Sequence, residues 1–166
     1  MSSSPDPSTL SGDRLAAWAS IATLLERLPA ALDAQLQRDS ALTHYEHGLL
    51  YALDTAPDRT LRMSVLAGYS SSTLSRLSRA ISRLEKKGWV RREVDPTDGR
   101  FTLAILTDDG HTLVVRSTPA HHALVGELVF DSLTEEQVRL LAGISARIVT
   151  AIDPATPWAP APAHSA

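Results

Sequence analysis

One change of rhythm constrains this chain more than any other feature. Between residues 73 and 106 a helical hydrophobic period stops at a glycine and gives way to two short β-like runs around a tight turn. Leu74, Leu77, Ile81 and Leu84 are spaced three, four and three, which at 100° per residue puts them on one helical face. The spacing predicts a helix over Thr73–Lys87, stopped by Gly88, with Lys86 and Lys87 suited to the negative end of its dipole. Strands Val90–Val94 and Phe101–Leu106 then flank Asp95-Pro96-Thr97-Asp98-Gly99-Arg100. Pro96 presets one φ, Gly99 allows positive φ, and the two aspartates suit bonds to backbone amides.

Charge follows the same segment. The chain carries −3 overall, but residues 59–100 hold ten Lys/Arg and four acids, so this stretch is +6 and the remainder −9. A basic block inside an acidic chain suggests a local anionic partner. Within the helix, Arg76, Arg79, Arg83 and Lys86 repeat the apolar spacing on roughly the opposite side, with Glu85 as the only acid. A merely soluble helix would interleave glutamates for i,i+4 pairing. Four cations down one side repel one another, and phosphates offset that repulsion. The small hydroxyl residues Ser72, Thr73, Ser75 and Ser78 let a helix sit deep in a major groove while guanidiniums reach guanine edges or phosphates.

A short helix over Met63–Gly68 and a serine-rich turn complete a helix-turn-helix, with the serine run supplying the N-cap of the next helix. A hairpin directly after it is a wing. Its tip lies beside the adjacent minor groove, where narrow A·T-rich DNA attracts an inserted arginine. Arg100 is the candidate, and Asp98 is placed to hold the guanidinium or the loop.

The rest reads as helix between polar tails. Residues 1–12 and 153–166 are Ser/Pro/Ala-rich and expected to be disordered. Residues 13–54 form N-terminal dimerisation and connecting helices. The first, over Asp13–Asp39, carries a stripe from Leu15 and Trp18 to Leu36, with a kink or break expected at Pro29. The second runs from His44 to Asp54 behind a Thr43/Glu46 capping box. A winged lobe spans 55–107, and helices over 108–152 follow: one from Thr107 to Phe130 with a bend at Pro119, and one ending near Ile152 behind a Thr134/Gln137 box. Stripes such as Leu24, Leu25 and Leu28, or Val138, Leu141, Ile144 and Ile148, exceed what one winged domain buries alone, which favours a dimer.

Leu61 to Gly110, LRMSVLAGYSSSTLSRLSRAISRLEKKGWVRREVDPTDGRFTLAILTDDG, resembles the winged helix-turn-helix of MarR-type transcriptional regulators. Asp98-x-Arg100 followed after five residues by Leu106-Thr107 matches the family's wing signature. Arg-Leu-Glu-Lys-Lys-Gly-Trp-Val at 83–90 matches the end of its recognition helix. LTHYEHGLLYAL and LVFDSLTEEQVRLLAGI fit its flanking helices, extending the resemblance over about 13–152. The resemblance implies a mainly α (α+β) fold: a winged helix-turn-helix with a two-stranded wing, and N- and C-terminal helices interlocked in a homodimer. It implies a pseudo-palindromic operator in double-stranded DNA and repression relieved by a small-molecule effector. By the same match, base and phosphate contacts fall on Ser71, Ser72, Ser75, Arg76, Arg79 and Arg83, with Arg100 in the minor groove. Gly99 departs from the family, many members of which carry a second basic residue there. The family's usual effector pocket, between dimer helices and winged lobe, would here be lined by Trp18, His44, Tyr45 and Tyr51.

Other chemistry is weaker. The chain has no cysteine, which removes disulfides, thiolate nucleophiles and thiol redox sensing. No nucleophile elbow or Gly-rich phosphate loop marks an enzyme, and no cofactor is expected. His44 and His47 stand one turn apart, the spacing of a helical metal pair, but Glu46 is committed to its capping box. His121 and His122 diverge by about 100°. No metal site is therefore expected. No window approaches a membrane span and the N-terminus lacks signal-peptide character, so a cytoplasmic protein without membrane association is expected. The alternative to DNA binding is a helical interaction module docking its basic face on an acidic protein.

Overall fold

The computed structural model describes residues 9–153, so most of both tails expected to be disordered lies outside the described residues. Helices α1 (Gly12–Ser40) and α2 (His44–Thr55) come first, then a 3-10 turn (Pro57–Arg59), β1 (Thr60–Arg62), α3 (Met63–Tyr69) and α4 (Leu74–Lys86). The hairpin β2 (Val90–Val94) and β3 (Thr102–Leu106) follows, then α5 (Asp108–Val125), a π-helical turn (Gly126–Phe130) and α6 (Glu135–Ile152).

Local chemistry sets most boundaries. α1 ends where Ala41 turns left-handed at φ 53° and the Leu42 amide reaches back to the Leu36 carbonyl, a six-to-one closure. Both expected capping boxes form, Thr43 with Glu46 and Thr134 with Gln137. Thr107 caps α5. Gly88 stops α4 at φ 76°, a conformation that glycine adopts without a Cβ clash.

The differences are local. α1 is not broken at Pro29, which lies within a largely exposed stretch of the helix. α5 likewise runs through Pro119 and reaches Phe130 only by widening into the π turn. The cap of α4 is Thr73, whose hydroxyl accepts from the Arg76 amide, rather than the serines before it. The two-stranded wing gains a third strand. β1 pairs with β3, Leu61 opposite Ala104, and β3 pairs with β2, Arg92 opposite Ala104, so the antiparallel order is β1-β3-β2.

The core is nearly all leucine: Leu36, Leu42, Leu49, Leu50, Leu53, Leu66, Leu77 and Leu84, joined by Ile81 and Val90, are fully buried. It joins the C-terminal end of α1 to α2, α3, α4, the sheet and α5. The N-terminal half of α1 and all of α6 stand outside it. Leu15, Trp18, Leu24, Leu25, Ile144, Ile148 and Ile152 are exposed, and no residue of α6 is buried. By length and composition alone α1 could cross a membrane, contrary to the expectation that no window comes close.

Candidate nucleic-acid interface

Beyond its first residues α4 divides into a buried and an exposed face. Leu77, Ala80, Ile81 and Leu84 are fully buried, whereas Ser75, Arg76, Arg79, Arg83 and Lys86 are exposed. Leu74, expected on the buried face, is exposed instead, because the core ends one turn short of the helix start.

The cations differ in what holds them. The Arg76 guanidinium lies 4.3 Å from the centre of the Tyr45 ring, and Arg83 Nε donates to Glu46 Oε1 at 2.9 Å. Both partners belong to the first turn of α2, so that turn seats two arginines of α4, and Glu46 of its capping box holds one of them. Burial pushes the Glu46 carboxyl up, but the Thr43 amide and Arg83 outweigh burial and hold it below the usual carboxylate range. Arg79 Nε donates within its own helix, to the Ser75 carbonyl at 3.4 Å. Lys87 stays exposed but is tied down, its Nζ donating to the Ala41 carbonyl at 2.8 Å and lying 4.6 Å from the Trp89 ring centre.

The predicted hydroxyl residues split. Ser71 is exposed in the left-handed region at φ 45°, and Ser75 is exposed on α4. Ser72 is half-buried, its Oγ 2.7 Å from the Tyr45 hydroxyl and 2.8 Å from Ser70 Oγ, and Thr73 caps α4. Ser72 and Thr73 thus hold the turn, while Ser71 and Ser75 present their side chains outward.

At the wing, Asp98 grips Arg100 at both ends of the fork, Nε to Oδ1 at 2.9 Å and Nη2 to Oδ2 at 2.7 Å, and also accepts from its amide. The arginine holds the Asp98 carboxyl below its usual range and is itself pushed further up. The Arg100 side chain is still 83% exposed. The loop closes by two successive turns, the Asp98 amide bonding the Asp95 carbonyl and the Phe101 amide bonding the Asp98 carbonyl. Neither turn requires Gly99 at positive φ, and Gly99 does not adopt it.

A brace holds the root of the wing. Arg62 of β1 donates to Asp95 at 2.7–2.8 Å and packs 4.3 Å from the Phe101 ring centre. The Thr97 hydroxyl and amide, together with Arg62, draw the Asp95 carboxyl down to about 2. Arg92 of β2 forks onto Glu85 of α4, fixing the hairpin to the helix. No spacing links residues 62 and 95; only the third strand brings them together.

A cleft of about 1030 Å³ opens between α1, α2 and α4, with His44, Tyr45, Tyr51, Tyr69, Arg76 and Arg79 among its walls. Trp18, expected there, does not line it. Behind it, His47 and His121 are buried with ring centres 4.7 Å apart, and His44 lies 5.3 Å from His121. Burial first, then His121, His44 and His122, lower the His47 imidazole to about 4. Among the described residues no three histidines or carboxylates are arranged to hold a metal ion.

A helix and turn presenting an exposed cationic helix, followed by an arginine-tipped hairpin, define a winged helix-turn-helix protein. Residues 42–100 match the model of the MarR family. Over 93% of this chain and 99% of the other, the fold superposes with a TM-score of 0.88 and 42% identity on Sco3205, a MarR family transcriptional regulator from Streptomyces coelicolor solved in complex with DNA. AbsC, a MarR family regulator from the same organism, gives a TM-score of 0.83 and 29% identity over 87% of this chain and 97% of its own. The uncharacterized HTH-type transcriptional regulator YwaE of Bacillus subtilis is 27% identical over 134 residues, 78% of this chain and 76% of its own. The chain belongs to the MarR family of transcriptional regulators.

Proposed function

We propose that this protein is a homodimeric repressor that binds a pseudo-palindromic operator in duplex DNA and is released by a small molecule. The observation that carries the reading is the outer face of α4: four exposed cations and small hydroxyls backed by the buried Leu77, Ala80, Ile81 and Leu84, with one exposed arginine held out on the wing. In this reading α4 enters the major groove, Ser71, Ser75, Arg76 and Arg79 meet bases and phosphates, and Arg83 reaches phosphate from its seat on Glu46. Ser72, Thr73 and Asp98 hold the turn and the wing in shape, and Arg100 enters the minor groove. Sco3205, 42% identical, was solved on DNA, which supports the same partner here.

The exposed apolar faces of α1 and α6 are the dimer surface. Two lobes joined through them would span two half-sites one helical turn apart. Burying that face in a second copy also accounts for a long apolar α1 without a membrane, consistent with a cytoplasmic regulator. The cleft, walled by tyrosines and recognition-helix arginines, suits a small aromatic or lipophilic acid. An acid there would engage Arg76 and Arg79 and compete with phosphates for them.

The test is titration of fluorescent duplexes selected from a random pool, at several salt concentrations. Affinity should fall steeply with salt. Arg79→Ala should cost about 1–3 kcal/mol on the selected site and less on random DNA. Unchanged operator affinity in the Arg76→Ala/Arg79→Ala/Arg100→Ala protein would overturn the reading.

A further inference from the structure

Leu74 is the large apolar side chain of α4 that the fold leaves in solvent. It is 57% exposed, while Leu77, Ile81 and Leu84 are at 0%. It is the first residue of the helix, directly after the Thr73 cap and next to exposed Ser75 and Arg76. The first turn of a recognition helix is the part that meets base edges. Here the side chains around that turn are small, Ser71, Thr73 and Ser75, so the backbone can approach closely and bring Leu74 to the groove floor.

We infer that Leu74 reads the C5-methyl group of a thymine in each operator half-site. The major-groove floor otherwise presents hydrogen-bond donors and acceptors. A leucine laid over those would strip their water and return no hydrogen bond, which disfavours the contact. Thymine alone offers an apolar group there, so contact with it removes two apolar surfaces from water and leaves no polar group stranded. Leu74 therefore adds base discrimination that the arginines and serines, which bond edges and phosphates, do not supply. This assignment rests on α4 being the recognition helix.

The experiment uses the full-length protein and duplexes selected by it from a random pool. Each thymine of the half-site is replaced in turn by deoxyuridine, which deletes only the methyl group. The wild type should lose roughly fourfold in affinity per half-site at one position, the worth of burying one methyl-sized group. Leu74→Ala, with unchanged circular dichroism and thermal midpoint, should bind thymine and uracil versions of that site equally. The assignment is overturned if no thymine methyl matters to the wild type, or if Leu74→Ala keeps the same uracil penalty. A pool that yields no enriched sequence overturns the operator-binding reading itself. An enriched operator indifferent to its methyls overturns only the role of Leu74.

Discussion

Leu74 and Leu84 share one spacing rule and meet opposite fates, and the difference is measurable. Leu84 sits in the leucine core with no exposure, so Leu84→Ala should cost about 2–5 kcal/mol through lost burial and an unfilled cavity. Leu74→Ala should stay within about 1 kcal/mol, because the exposed side chain leaves no cavity and alanine favours the helix. Urea denaturation of the two variants checks this, and equal losses would contradict the burial pattern. Gly99 permits a gain. It is not held at positive φ, and an added Cβ would meet nothing nearer than Val94 Cγ1 at 3.9 Å. Gly99→Lys should fold normally, tighten DNA binding, and steepen the log–log salt slope by about one. A variant with the wild-type slope would show that the loop tip does not approach phosphate.

At the scale of elements, the lobe is joined by a few side chains that each serve two neighbours. Glu46 closes the capping box of α2 and holds Arg83 of α4; Tyr45 holds Ser72 in the turn and supports Arg76. Glu85 fixes β2 to α4 through Arg92. The start of α5 is fixed differently, by close backbone packing. A Cβ on the buried Gly110 would run into the Trp89 carbonyl and the Leu106 side chain. The same carbonyl accepts the Thr107 amide, so it has little freedom to retreat. Gly110→Ala should therefore destabilise by about 1–3 kcal/mol despite the better helix propensity of alanine. A thermal midpoint at or above that of the wild type would refute this packing account.

For the whole molecule, the joint between α1, α2 and α5 is built around imidazoles held neutral. Unfolded histidines titrate near 6.5; burial with neighbouring imidazoles lowers His47 to about 4 and lowers His121 as well, and burial lowers His44 against the pull of Asp33. Between those values the unfolded chain binds protons that the folded chain refuses. Stability is then full above the unfolded value and falls as pH drops through the window, by about 3 kcal/mol for His47 alone. Glu46, Glu85, Asp95 and Asp98, all lowered by hydrogen bonds and arginines, add a second loss at lower pH, ending near 2 for Asp95. Urea midpoints should fall from pH 7.5 to pH 5, and His47→Gln should flatten that upper limb. An identical pH dependence in His47→Gln would remove this histidine from the account.

Local rules read from the sequence alone sufficed wherever one segment decided the outcome. The period of α4, the stop at Gly88, both capping boxes, the hairpin and the exposed arginine of the wing need only neighbours a few residues away. The motifs at 83–90 and 98–107 also carried the family. Contacts between distant segments were not legible in this way. The seats of Arg76 and Arg83 on α2, the Arg62–Asp95 brace, the third strand and the histidine joint have no fixed spacing in the chain. Even the exposure of Leu74 depended on where the core ends. Periodicity assigns a side chain to a face, but only the packing of other elements decides whether that face is covered.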